Sequence, residues 1–131
     1  MQAVLTGVYG LYNGNATLKA ALTGGLYIEQ VPQGISIPYA VMYVTSGRPD
    51  YFFADEVFEI IDIQFDIYAQ TNAIRQDIYG KLIAVFDDAK PTITGYTSHI
   101  MEREYYQMLR TGDNDEGYRA IVQYQLTIEK N

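Results

Sequence analysis

Glu102 and Glu104 are the residues whose type and spacing come nearest to chemistry. Two positions apart on a strand, they would stand about 7 Å apart on one face. That lies inside the roughly 5–9.5 Å between the paired carboxyl groups of glycosidases. Asp62 and Asp66 share a face as well, but four residues of strand separate them by about 13 Å, too far for that work. His99 is the single histidine, which excludes a histidine-based metal cluster. A serine and a carboxylate could join it, yet no Gly-x-Ser-x-Gly elbow occurs. Asp113-Asn114-Asp115-Glu116-Gly117 begins like a calcium loop. Gly117 then falls where the fifth-position ligand belongs, and Tyr124 where the closing Glu belongs. There is no cysteine to serve as nucleophile or ligand, and no Walker loop or dinucleotide fingerprint. A solvated strand face accounts for the two glutamates, and a hairpin tip for the acidic run. The residues assign no catalytic, metal-binding or cofactor-binding position. The enzyme alternative is a small hydrolase acting through Glu102 and Glu104.

The elements that carry these residues follow from periodicity. At 131 residues, 48% hydrophobic and 19% charged, the chain suits one folded domain with a real core. Val4, Leu5, Val8, Leu11 and Tyr12 recur at helical spacing, weakened by Gly7 and Gly10 and ended by Asn13-Gly14-Asn15. A short helix over Ala16–Leu22 stops at Gly24-Gly25. Leu26–Ile28 reads as a short strand. Ile37–Ser46 is another, apolar on both faces and therefore expected to be covered on both. Ser46–Glu56 reads as a loop broken by Gly47 and Pro49. Val57–Ala69 alternates cleanly: Val57, Ile61, Ile63, Phe65 and Ile67 on one face, Asp62, Gln64, Asp66 and Tyr68 on the other. Asn72–Asp87 is the strongest helix, with Ile74, Ile78, Leu82 and Val85 as its stripe, Phe86 alongside, and Thr71 or Asn72 as cap. Thr97–Leu109 and Gly117–Glu129 form a hairpin. The last strand puts Tyr118, Ala120, Val122, Tyr124, Leu126 and Ile128 on one face, whereas Thr97–Leu109 has no clean face and reads as an edge strand or one covered by another chain. The expected fold is α+β: an antiparallel or mixed sheet of about four to five strands, with helices packed mainly on one face.

Nine basic residues against sixteen acidic ones leave a net charge of −7. The basic residues are scattered, so no electrostatic footprint for tight nucleic-acid binding exists. No apolar run approaches the ~18 residues of a membrane span, and no signal-type segment follows Met1, as expected of a soluble, unsecreted protein. Thirteen tyrosines and no tryptophan suit positions half buried by a partner. Candidate subunit-interface residues are Arg48, Tyr51, Phe52 and Phe53 in and beside the aromatic loop, and Met101, Arg103, Tyr105 and Tyr106 on the mixed strand.

The series as a whole resembles a known family. A first helix leads to Gly25-Leu26-Tyr27-Ile28, Val31-Pro32 and Ile37-Pro38-Tyr39-Ala40-Val41. A Gly47–Asp50 turn, the strand Ile61–Ala69 and the helix Asn72–Phe86 follow. A polar turn at Asp113–Gly117 precedes Gln125-Leu126-Thr127-Ile128. This order resembles the tail-completion family of long-tailed bacteriophages, the tail-terminator or tail-to-head joining proteins. The resemblance implies a structural virion protein of the tail or neck, assembled in the host cytoplasm without a cofactor. It would form a homo-oligomeric, hexameric ring between the tail tube protein and the head–tail connector protein, with genomic DNA passing through the lumen. Asp62, Asp66, Asp113, Asp115 and Glu116 are candidates for an acidic lumen that repels phosphate. The alternatives are another neck or tail ring subunit (a head-completion, stopper or tail-tube protein), or a tyrosine-rich carbohydrate-binding module.

Phe65 tests the register of the best strand. Truncation to Ala should cost ~3–5 kcal/mol of stability if its ring is core, and a denaturant midpoint that barely moved would overturn the assignment.

Overall fold

A computed structural model describes residues 2–52, 56–110 and 117–131, leaving aside the side chains of residues 50–52, 56 and 57. The chain runs α1 (Gln2–Asn13), α2 (Ala16–Ala21), β1 (Leu26–Ile28), β2 (Tyr39–Phe52), β3 (Glu56–Ala69), α3 (Asn72–Phe86), β4 (Tyr96–Arg110) and β5 (Tyr118–Lys130). This is the order expected from periodicity. The strands form one sheet in the order β1-β2-β3-β5-β4. β1 runs parallel to β2 and every other neighbouring pair is antiparallel. β3 and β4 therefore point the same way, joined by α3, and β5 returns between them. The architecture is α+β, as the alternation of apolar positions implied.

Period-two burial builds the core. Ile61, Ile63, Phe65 and Ile67 of β3 are fully buried. Register sets Phe65 beside Met42 and Val122, and Ile67 beside Ala40 and Ala120, so these chains share one face. Onto it fold Val4, Leu5, Val8 and Tyr12 of α1, Leu18 of α2, and Ile78, Leu82 and Phe86 of α3. The Phe65 ring packs against Phe86 and Tyr124, with centroids 4.6 and 5.9 Å away. Asn15 caps α2 by accepting from the Leu18 amide, and Thr71 caps α3 by accepting from the Ile74 amide. Among the described residues no helix is long and apolar enough to cross a membrane.

Two expectations change. The segment read as a loop over Ser46–Glu56 is strand as far as Phe52, paired with β3 down to Phe52–Glu56. Gly47 and Pro49 are tolerated because β1 covers β2 only at Ala40–Met42. Beyond that point β2 is an edge, where a proline's missing amide costs no ladder bond. A second expectation, cover on both faces of β2, is met within the protomer on one face only. Tyr39, Val41 and Tyr43 lie away from the helices, and no described element packs over them. Their cover is lateral, from neighbouring side chains of the sheet, and Tyr39 stacks on Tyr68 at 5.1 Å.

The glycines of α1 are not equivalent. A Cβ on Gly7 would lie 2.5 Å from the Thr92 carbonyl oxygen and 2.9 Å from Ile93, whereas one on Gly10 meets nothing within 4 Å. Helix propensity favours alanine over glycine by about 1 kcal/mol at both positions. Gly10→Ala should therefore stabilise the fold and Gly7→Ala should destabilise it, read as opposite shifts in urea midpoint. Equal shifts would refute the close approach of α1 to residues 92–93.

Candidate assembly surface

With the helices on one side, the sheet leaves its other face and two of its edges to solvent or partners. The exposed face is built from the alternate residues of each strand. Asp62, Gln64, Asp66 and Tyr68 of β3 lie beside Gln125, Gln123, Ile121 and Arg119 of β5. At its centre is Asp66, only 5% exposed. Its carboxylate accepts from Arg119 at 2.7 Å, from the Gln64 amide at 2.8 Å and from the Tyr43 hydroxyl at 3.1 Å. The Arg119 guanidinium lies over the Tyr68 ring, 5.3 Å from its centroid. Burial, then the charge of Asp66 and the bond to it, push the Tyr43 hydroxyl up to about 12. A carboxylate buried without partners would be costly; here nearly every acceptor direction is used.

Asp62 sits two pleat repeats from Asp66, about 13 Å along the strand, and accepts from Ser46 at 2.7 Å. Glu104 reaches this side too, accepting from Gln123 at 3.2 Å. Burial first, then a hydrogen bond with Asp62, raises the Glu104 carboxyl above the usual range. Its carboxyl thus faces Gln123 and Asp62, while Glu102 pairs in register with Gln125. His99 is exposed, edge-on to Phe58 at 5.8 Å. Among the described residues no group of three or more His, Cys, Asp or Glu side chains could hold a metal ion.

The edge strand β4 carries the exposed apolar groups. Ile100, Tyr105 and Tyr106 are 37%, 45% and 56% exposed. Tyr106 points to the helix side, where it meets Tyr79 at 5.2 Å. Tyr105 points to the other side, where its hydroxyl donates to Gln123. Arg103 donates to the Tyr79 hydroxyl and pairs with Asp87 at 3.4 Å. Register shifts at Ser98/Met101 and Arg103/Tyr105 interrupt the ladder to β5, after which Tyr105–Arg110 pair without a break. Such bulges and the charges Glu102, Arg103 and Glu104 blunt the first half of this edge; the second half is left regular.

The sequence-derived candidates thus separate into groups. Tyr105, Tyr106 and Arg103 do stand on a surface strand, and Arg48 is exposed on β2. Met101 is a correction. It is 0% exposed and packs in the protomer's own core opposite Leu126, because the bulge before it turns its side chain inward. Asp66 belongs to an internal ion pair, so it offers no unpaired charge to a lumen. Phe53, Asp113, Asp115 and Glu116, and the side chains of Tyr51 and Phe52, lie outside the described residues. Sequence reasoning missed Arg75 as well. Buried beneath the β4–β5 hairpin, it donates to the Leu109 carbonyl at 2.8 Å and the Asn72 side chain at 2.6 Å, with Tyr118 5.4 Å away. A lone arginine in an amphipathic helix carries no sequence signal for such a clamp.

No family model matches the sequence, and no curated protein matches it. A chain of the virion of a native gene transfer agent (GTA) particle has a similar fold. The two superpose with a TM-score of 0.77 at 12% identity, over 95% of this chain and 92% of that one. A second solved chain, also 12% identical, reaches a TM-score of 0.41, too slight a likeness to argue from.

Tyr43 supplies a test of the central network. Its folded-state value lies above the ordinary value near 10 of an unfolded tyrosine. The folded chain therefore holds this proton more tightly. The resulting stability is complete below about pH 10 and is lost as pH rises from there towards 12. Tyr12 and Tyr124, raised mainly by burial, add to the same trend. Urea midpoints should decline over that window, and Tyr43→Phe should decline less steeply than the parent. Parallel curves would show that the hydroxyl is not held by the network.

Proposed function

We propose that this chain is a structural virion protein that works as a ring-forming tail terminator, capping the tail tube and joining it to the head connector. The observation that carries the reading is the fold shared, over nearly the whole chain, with a chain of a GTA virion particle. The element order quoted above, which resembles the tail-completion family, supports the finer assignment. So does the distribution of apolar surface: Ile100, Tyr105 and Tyr106 are all exposed along one edge strand, which suits cover by a neighbour. In this reading the subunit performs no reaction, and it needs no cofactor. Identical copies meet head to tail in a hexameric ring, the tail tube protein and connector contact its two ends, and genomic DNA passes through the lumen without specific binding. The net charge of −7 suits a channel that must not hold phosphate. Another neck or tail ring subunit would use the same surfaces.

The test is to mix the purified protein with tail tubes and image the product. Capped tubes that no longer elongate, carrying rings at one end, are the expected outcome, and native mass should give a ring of one stoichiometry. Tyr105→Lys should reduce capping while leaving the thermal midpoint nearly unchanged, since its side chain is an exposed one on an edge strand. Tubes that grow unaltered and carry no bound protein would sink the assignment.

A further inference from the structure

Resting on the reading as a ring subunit, we propose that neighbouring copies join by sheet continuation. The β4 edge of one copy, from Glu102 onwards, pairs antiparallel with residues 44–50 of β2 in the next. Three observations meet here. First, the sheet has two free edges among the described residues: β4 from Glu102 onwards, past Met101, whose amide and carbonyl are bonded to Ala89 and Asp88, and β2 beyond Met42, where β1 stops. Second, their directions are compatible. β2, β3, β5 and β4 alternate in direction across the sheet, so a copy rotated about a ring axis brings its β2 up antiparallel to β4. This holds for any number of subunits. Two different edges meeting make a head-to-tail contact, the kind that closes into rings, and the added backbone bonds satisfy most of both edges, with none donated by Pro49.

Third, charge and length select a register. Ser46 and Arg48 pair in register with Asp62 and Ile60, on the face away from the helices. Glu102 and Glu104 of β4 lie on the same face, and Glu104, which accepts from Gln123 in its own copy, would turn outward to meet the next copy's Arg48. Setting Arg48 beside Glu104 runs residues 44–50 along residues 102–108, short of the segment that covers Met101, brings Val44 beside Met108 and ends where β1 of the next copy begins. The competing arrangement, β4 against its own two-fold mate, fares worse. Centred on Glu102, Arg103 or Glu104, it opposes each residue to its copy and sets like charges together. Centred on Gln107, it brings Arg103 and Arg110 together on the helix side.

The chain has no cysteine, so introduced thiols report directly. Arg48→Cys combined with Glu104→Cys should form disulfides between copies, because opposed strand residues have the Cα spacing that the bond requires; Arg48→Cys with Glu102→Cys, two residues out of register, should not. Within one copy β2 and β4 are three strand spacings apart, roughly 14 Å, which is too far to bridge. Mild oxidation, with and without tail tubes, should give a ladder of trimers and larger species from the Arg48→Cys and Glu104→Cys double variant and nothing above dimer from either single variant. Dimers from Glu104→Cys alone, at the yield of the double variant, would replace the proposal with a two-fold edge pair. Rings on native mass or in images, with no cross-link from the Arg48→Cys and Glu104→Cys pair, would overturn the strand pairing and leave the ring standing. A monomer in both conditions would remove both.

Discussion

A five-stranded sheet has two faces, and this chain has helices enough for one. α1, α2 and α3 all bury their stripes against the same side, so the opposite side must be stable with water against it. That constraint explains the composition of the second face. Aliphatic groups would be unprotected there, and isolated charges would gain nothing from burial. What the face holds instead is a charged pair, Asp66 with Arg119, closed in by Tyr43, Gln64 and Tyr68. Tyrosine suits the place because its ring shields and its hydroxyl bonds. The high tyrosine count is in part an answer to a missing second layer.

The same economy leaves the sheet open sideways. β1 is three residues long and covers only a fragment of β2, while β4 beyond Met101 has a neighbour on one side only among the described residues. Edges of this length invite pairing. The chain limits that tendency unevenly, with bulges and charges in the first half of β4 and proline in β2, and it leaves Tyr105–Arg110 regular. Arg75 stiffens this same region by tying α3 to the carbonyls at the base of the β4–β5 hairpin. A rigid, partly unprotected edge is a surface prepared for a defined neighbour.

A fold shared at 12% identity is retained through burial pattern, not through particular residues. Ile, Leu, Val, Phe and Met exchange freely in a core provided that volume and alternation are kept. It follows that the chemistry of recognition must be read from this chain's own surface residues, and these lie on β4, on the outer part of β2 and on the polar face.

Wherever one physical period governs a segment, the amino-acid sequence determined the outcome by itself. Alternation along Val57–Ala69 and Gly117–Glu129 defined two central strands and their inward faces, and the 3.6-residue stripe of Asn72–Asp87 defined α3. The poor alternation of Thr97–Leu109 correctly marked an edge, since a strand with one neighbour is under weak constraint. What local pattern could not decide was everything that depends on a neighbour in space. Gly47 and Pro49 spell a turn until β2 is seen to be an edge there. Met101 alternates as a surface residue until a bulge rotates it into the core. Asp66 looks like a free acid until register sets β3 beside β5 and brings Arg119 to it from 53 residues away. Side-chain type is a local property, but burial and charge compensation are set by packing, and only the assembled sheet carries that information.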